Sequence, residues 1–144
     1  MVVATYNRCD ILRGTLESLS DQDCPASEYE VIVVDNNSTD DTATLIENLR
    51  DATGYENFLF CFESRQGVSH ASNTGISKAK GRVIAFTDDD IRPARNWISS
   101  IREVFKKFSD VDCIGGKVLP ESETEFPSWL TKDYWTPLAL LDLG

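Results

Sequence analysis

A chain of 144 residues is long enough for one domain with its own core, and its 14 Lys+Arg against 24 Asp+Glu leave a formal net charge of -10. That balance argues against nucleic-acid binding, which normally shows a basic patch, and favours a protein that holds cations or binds a ligand through a metal. No apolar run approaches the roughly 18 residues of a membrane span, and no signal peptide opens the chain. Cys9, Cys24, Cys61 and Cys113 lie outside any CxxC pair, which argues against a zinc site. They read as free thiols in a reducing cytoplasm. A cytoplasmic location is therefore expected, with room for association at the cytoplasmic face of a membrane and for self-association.

In chain order, residues 1–5 read as a strand that begins abruptly, so that residues ahead of it are expected. Leu12, Thr15, Leu16 and Leu19 recur at helical spacing, and Pro25 closes that region. Residues 30–34 form a second buried strand, followed by a stretch at 35–41 dense in turn and helix-capping residues. Leu45, Ile46 and Leu49 mark a second helix, and residues 57–62 a third strand. A third helix runs over 67–80. Its Ala71, Gly75 and Ala79 share one face and allow a close approach to a sheet, and Gly81 suits a left-handed stop. Residues 83–86 predict a short, fully buried strand. Pro93 is placed for the first turn of a fourth helix, with an apolar stripe of Ala94, Trp97, Ile98, Ile101, Val104, Phe105 and Phe108. Residues 111–118 predict a further strand, with Gly115 and Gly116 marking a bulge. From Leu119 the composition changes to prolines, acids and aromatics. Strands alternating with helices give an α/β fold with a mostly parallel sheet.

The fourth of these strands ends in Asp88, Asp89 and Asp90. If the chain stays extended there, Asp88 and Asp90 point to one side and Asp89 to the other. Two carboxylates on one side suit a hard cation, Mg²⁺ or Mn²⁺. The competing reading is a solvated turn whose last aspartate caps the next helix. Two other strand ends carry polar clusters, at 5–8 and 35–40. In a doubly wound sheet all three lie on one edge and can converge on a polar ligand. No GxGxxG or P-loop motif is present. His70, the sole histidine, lies in a polar helical stretch and reads as a surface residue.

Four segments together carry a family resemblance: VATYNR at 3–8, VVDNNSTDDT at 33–42, RQGVSHASNTG at 65–75 and IAFTDDD at 84–90. In this order and at these separations they resemble the family 2 glycosyltransferases with the GT-A fold, over residues 2–118. The resemblance implies a GT-A-like (Rossmann-like) sheet flanked by helices that binds a nucleotide-sugar donor, often a UDP-sugar. It implies that Asp35 holds the uracil or its ribose, and that Thr5, Tyr6 and Arg8 line the nucleotide pocket. Asn37 of the second segment and Asp89 of the triplet belong to that pocket too. Asn73 lies in the segment whose helix flanks the diphosphate; family members often have Arg where this chain has Ser72. Asp88 and Asp90 match the DXD motif, which binds the Mn²⁺ or Mg²⁺ ion and the donor ribose.

The implied reaction transfers a sugar, with inversion, to a saccharide or lipid-linked acceptor. Residues 1–118 would be the donor-binding domain and 119–144 the start of the acceptor-side region. Inverting members use a later carboxylate as general base. Glu121, Glu123, Glu125 and Asp133 do not match that motif, so the base is expected beyond Gly144 and the chain is expected to be part of a longer enzyme. Two alternatives have other chemistry. A sugar-nucleotide pyrophosphorylase would want a Gly-rich basic loop after the first strand. A receiver-like signalling domain, also Mg²⁺-binding, would gather its acids from earlier strands.

Overall fold

Along the strands, apolar residues divide by parity between two faces, and each face meets its own helices. In a computed structural model, which describes residues 1–50, 52, 54–121, 125–131 and 134, the chain divides into two units, Met1–Lys106 and Lys107–Gly144. The first is built from β1 (Val2–Thr5), α1 (Cys9–Ser20), β2 (Val31–Asp35), α2 (Thr42–Arg50), β3 (Phe58–Phe62), α3 (Val68–Lys78), β4 (Phe86–Thr87) and α4 (Trp97–Lys107). The strands form one parallel sheet in the order β3-β2-β1-β4. The parallel α/β sheet with flanking helices stands as the sequence predicts.

Val3, Val31 and Val33 face α1 and α2, where Leu12, Leu16, Leu19, Leu45, Ile46 and Leu49 complete the core. Val2, Ile32 and Val34 face α3, which meets them with Ala71. Each fully buried leucine or valine contributes about 1.5–3 kcal/mol. α3 lies close to β1 because Gly75 has no side chain: a Cβ there would sit 2.4 Å from Val2 Cγ1. No helix among the described residues is long and apolar enough to cross a membrane.

Four expectations are corrected. The short strand expected over 83–86 lies at Phe86–Thr87 and is not buried. β4 pairs only through Phe86 and Thr87, and Val83, Ile84 and Phe86 are exposed. It is an edge strand with β1 on one side and no described strand on the other, so its apolar residues lack the cover that a buried strand requires. α3 ends at Lys78, and Ala79 is extended. The left-handed glycines are Gly54 and Gly67, not Gly81. Here Glu30 Oε1 accepts the N–H groups of Lys80 and Gly81, which draws the chain out of the helix toward β4.

Pro93 stands four residues ahead of α4 rather than in its first turn. α4 starts where Gln22 sets it: Gln22 Nε2 donates to the Ala94 carbonyl, and Gln22 Oε1 accepts the Ile98 N–H. Residues 111–118 form no strand; Val118 alone makes an isolated bridge. Gly115 and Gly116 bring no side chains to pack, and no strand among the described residues of that unit lies alongside to build a ladder. Glu123, Asp133 and residues 135–144 lie outside the described residues.

Candidate functional site

Strand order dictates where a ligand belongs. The chain passes from β1 to β2 and β3 on one side, then crosses to place β4 on the other side of β1. In open α/β sheets the crevice beyond the carboxyl ends of the strands at such a reversal is the binding place. On the α3 side of β1 and β4, reaching that edge at Asp88, lies a cavity of about 240 Å³, lined by Val2 and Ala4 of β1, Phe86, Thr87 and Asp88 at β4, and Val68 and Ser72 of α3. A larger cavity, about 610 Å³, opens at the amino ends of the strands and is lined by Val83, Ile84, Ile98, Ile101 and Phe105. Its acids are already engaged, Glu28 with Arg102 and Glu30 with backbone N–H groups. The smaller cavity is the one with chemistry beside it.

The β1 and β2 ends are tied together. Asn7 takes a left-handed backbone, φ 53°, which Asn tolerates better than most residues. Its Oδ1 accepts the N–H groups of Thr39 and Asp40 at 2.7 and 3.3 Å, and its own N–H donates to Ser38 Oγ. Asp40 reaches both neighbouring helices. Oδ2 accepts the Cys9 N–H at the start of α1, and Oδ1 accepts the Thr42 N–H at the start of α2. Desolvation works to raise the Asp40 pKa, but the hydrogen bonds from Thr42 and Cys9 prevail and hold it below the ordinary value.

Buried Asp35 closes β2, and its Oδ1 accepts the Ser38 N–H at 3.0 Å. Thr5 ends β1 with its Oγ1 buried and without a partner among the described residues. Tyr6 is exposed, as is Asn37, which shares the left-handed conformation at φ 64°.

A second set of bonds fixes the β3–α3 loop. Buried Asn36 donates from Nδ2 to the carbonyls of Glu63 and Arg65 and accepts the Gly67 N–H on Oδ1. Gln66 Nε2 returns to the Asn36 carbonyl. Glu63 accepts from Arg65 Nε, Arg65 Nη2, the Arg65 N–H and Thr74 Oγ1. The Arg65 guanidinium first, then the Thr74 hydroxyl, hold the Glu63 carboxyl far below the usual range. The outcome is that α3 presents its N-terminus, Val68 and Ser72, to the crevice. Asn73 is exposed and is not among the crevice residues.

The acid triplet follows β4. Asp88 and Asp90 are exposed and Asp89 is buried. α1 anchors this loop twice. Thr15 Oγ1 lies 2.7 Å from the Asp89 carbonyl and 2.9 Å from that of Ile91, and Arg8 Nη1 donates to Asp90 Oδ2 at 3.0 Å. Among the described residues no group of three or more His, Cys, Asp or Glu is placed to hold a metal ion. Asp88 and Asp90 are two hard oxygen donors, and an octahedral ion on them would take its remaining ligands from solvent or from a bound anion.

Of the residues singled out from sequence, Thr5 and Asp35 end β1 and β2, Asp88 follows β4 and lines the crevice, and Arg8 reaches Asp90. Tyr6 and Asn37 are exposed in the turns after β1 and β2, Asp89 is buried, and Asn73 is exposed and does not line the crevice. Sequence reasoning placed Asn7, Asn36 and Asp40 in polar clusters without their partners, and assigned no role to Glu63 or Gln66; each of the five makes a bond to another segment of the chain. A signal available for the first two loops was the Asn after β1 and after β2, a residue type suited to left-handed turns.

Comparison with known proteins gives these positions a context. The profile of glycosyl transferase family 2 matches residues 1–141. The chain is 33% identical over 119 residues to glycosyltransferase AglE of Haloferax volcanii, covering 82% of this chain and 38% of that protein. Among solved structures, Staphylococcus aureus TarS 1-349 in complex with UDP superposes with a TM-score of 0.68 and 26% identity, over 84% of this chain and 37% of that one. The mannosyltransferase PcManGT of Pyrobaculum calidifontis, in complex with GDP-Man and Mn²⁺, gives a TM-score of 0.65 and 31% identity, over 76% and 31%. The chain thus spans less than two-fifths of the length of each of these proteins. The fold is that of its GT-A neighbours, and the chain belongs to glycosyltransferase family 2.

Proposed function

We propose that this chain binds the nucleotide-sugar donor, a UDP-sugar, of an inverting, metal-dependent glycosyltransferase that acts on a hydroxyl of a saccharide or lipid-linked acceptor. The observation that carries this reading is the crevice where β1 and β4 part, with Asp88 on its wall and Asp90 two residues on. At about 240 Å³ it suits the diphosphate portion of a donor rather than the whole molecule, since sites for drug-sized ligands run from about 300 Å³ upward.

The acids fit a divalent ion, Mn²⁺ or Mg²⁺. Both are exposed hard-oxygen donors, and Asp90 already accepts a cation, the Arg8 guanidinium. Asp88 and Asp90 would hold the metal, which when bound neutralises the charge of the leaving diphosphate. The N-terminus of α3, with Gly67 in place of a capping side chain, offers N–H groups and the positive end of the helix dipole to an anion. Asp35 uses one carboxylate oxygen on Ser38 and has the other for a donor group of the nucleotide. Thr5, Tyr6 and Asn37 would border the base and ribose, and Arg8, paired with Asp90, would line the pocket on the diphosphate side. We assign no general base. The four cysteines are free, which fits a reducing cytoplasmic setting.

Calorimetry with UDP, with and without Mn²⁺, tests the reading. Wild type should bind UDP mainly when Mn²⁺ is present, and Asp90→Ala should lose that dependence. Undiminished binding by the variant removes the metal role. Stabilisation by a phosphate mimic with Mg²⁺, but not by UDP with Mn²⁺, would favour a receiver-like domain instead.

A further inference from the structure

We infer that Arg8 is a resident counter-cation for Asp90, one that keeps the bare metal out and makes metal and nucleoside diphosphate bind together. The inference rests on the proposed roles of Asp88 and Asp90 and deepens that reading.

The Arg8–Asp90 pair joins residues 82 apart in sequence at 3.0 Å, and both of its ends are held. Arg8 sits at the N-cap of α1 without making a side-chain cap. The residue before it is locked by the bonds of Asn7 to Ser38, Thr39 and Asp40. The residue after it is locked by the bond of the Cys9 N–H to Asp40. On the other side, the loop bearing Asp90 rests on the same helix through Thr15. α1 therefore sets the guanidinium against the carboxylate.

The side chains themselves are 46% and 44% exposed, so the contact can open without unfolding anything. Arg stays protonated at any working pH, so it can leave Asp90 only by swinging away. A divalent ion arriving alone meets a positive charge already on one of its two carboxylates, and displacing it leaves two cations side by side. A nucleoside diphosphate changes the balance. Its oxygens complete the metal's coordination and offer paired acceptors that the planar fork of a guanidinium can grip bidentately. Arg8 then passes from Asp90 to phosphate. In this account Arg8 is a positioning residue whose removal acts in opposite directions on the two ligands.

The test measures binding, not turnover, on wild type, Arg8→Ala and Asp90→Asn, with Mn²⁺ alone and then with UDP in saturating Mn²⁺. Arg8→Ala should bind Mn²⁺ alone about threefold to fivefold more tightly, the range an exposed ion pair of this kind controls. It should bind UDP in Mn²⁺ at least about tenfold more weakly, as expected when a charged hydrogen bond is lost. General damage to the fold would weaken both. If Arg8→Ala does not fold, Arg8→Gln, which keeps a donor but removes the charge, should shift Mn²⁺ affinity the same way. Mn²⁺ affinity unchanged or lowered in a folded variant that still binds UDP with Mn²⁺ overturns the counter-cation role and leaves the proposed function standing. UDP binding that is independent of Mn²⁺ in wild type and unaffected by Asp90→Asn overturns both.

Discussion

Gly75→Ala adds one methyl group where α3 crosses β1. The new Cβ would lie 2.4 Å from Val2 Cγ1, 3.1 Å from Cγ2 and 3.3 Å from Val2 Cβ. Ordinary contact begins near 3.4 Å, so α3 must retreat by about 1 Å or Val2 must turn. Val2 is fully buried and β-branched, so turning only moves its methyls into other core atoms. Overpacking of this kind costs about 1–3 kcal/mol. Alanine returns about 0.8–1 kcal/mol through its better helix propensity. The net loss should be about 0–2 kcal/mol, or up to about 8 °C in Tm for a domain of this size. Denaturant unfolding of Gly75→Ala, Val2→Ala and the double variant measures it. The double variant should recover most of the Gly75→Ala loss, giving a coupling of about 1 kcal/mol or more. A Gly75→Ala protein more stable than wild type, or an equal cost with and without Val2, would refute the close approach of α3.

Two further outcomes follow from the site. Asp35→Ala should weaken UDP binding by about 1.5–3 kcal/mol, the cost of losing a hydrogen bond to a charged group; a lower Tm with UDP affinity intact in calorimetry would reduce Asp35 to its bond with Ser38. Glu63 bears on acid stability. Its folded pKa is depressed, chiefly by the Arg65 guanidinium, so its contribution is complete above the unfolded value of about 4.3 and is lost as the pH falls toward the folded one. Glu63→Gln should therefore be less stable than wild type at neutral pH and show a shallower decline in urea midpoint between about pH 5 and pH 2; parallel curves for the two proteins would contradict this.

What could be read in advance was local. Leu12, Leu16 and Leu19 announce α1 because one helix face supplies all three, and the apolar run from Val31 to Val34 announces β2 because both of its faces are buried. The pairing of Asp88 with Asp90 was expected from alternation along an extended chain, but β4 ends at Thr87 and Asp89 and Asp90 lie in a turn, so strand alternation does not govern them. The other misreadings share one cause, a partner distant in sequence. α4 begins at Trp97 because Gln22 holds Ala94 and Ile98, and α3 stops at Lys78 because Glu30 draws out Lys80 and Gly81. Val83, Ile84 and Phe86 have the composition of a buried strand, but burial belongs to the neighbours of a strand and not to its own residues. The role of Asn36 within its polar cluster was hidden for the same reason, since its three partners lie on the loop beyond β3.

One carboxylate, Asp40, receives the first N–H of α1 and the first N–H of α2. The loops leaving β1 and β2 thus cannot loosen one at a time. Fraying at either helix start releases the acceptor that the other depends on, so the two open as one cooperative unit rather than as separate low-stability segments. A ligand arriving at this edge meets loops already ordered during folding. Little conformational entropy remains to be lost on that side of the crevice, so the affinity measured there reflects contacts rather than the ordering of the loops.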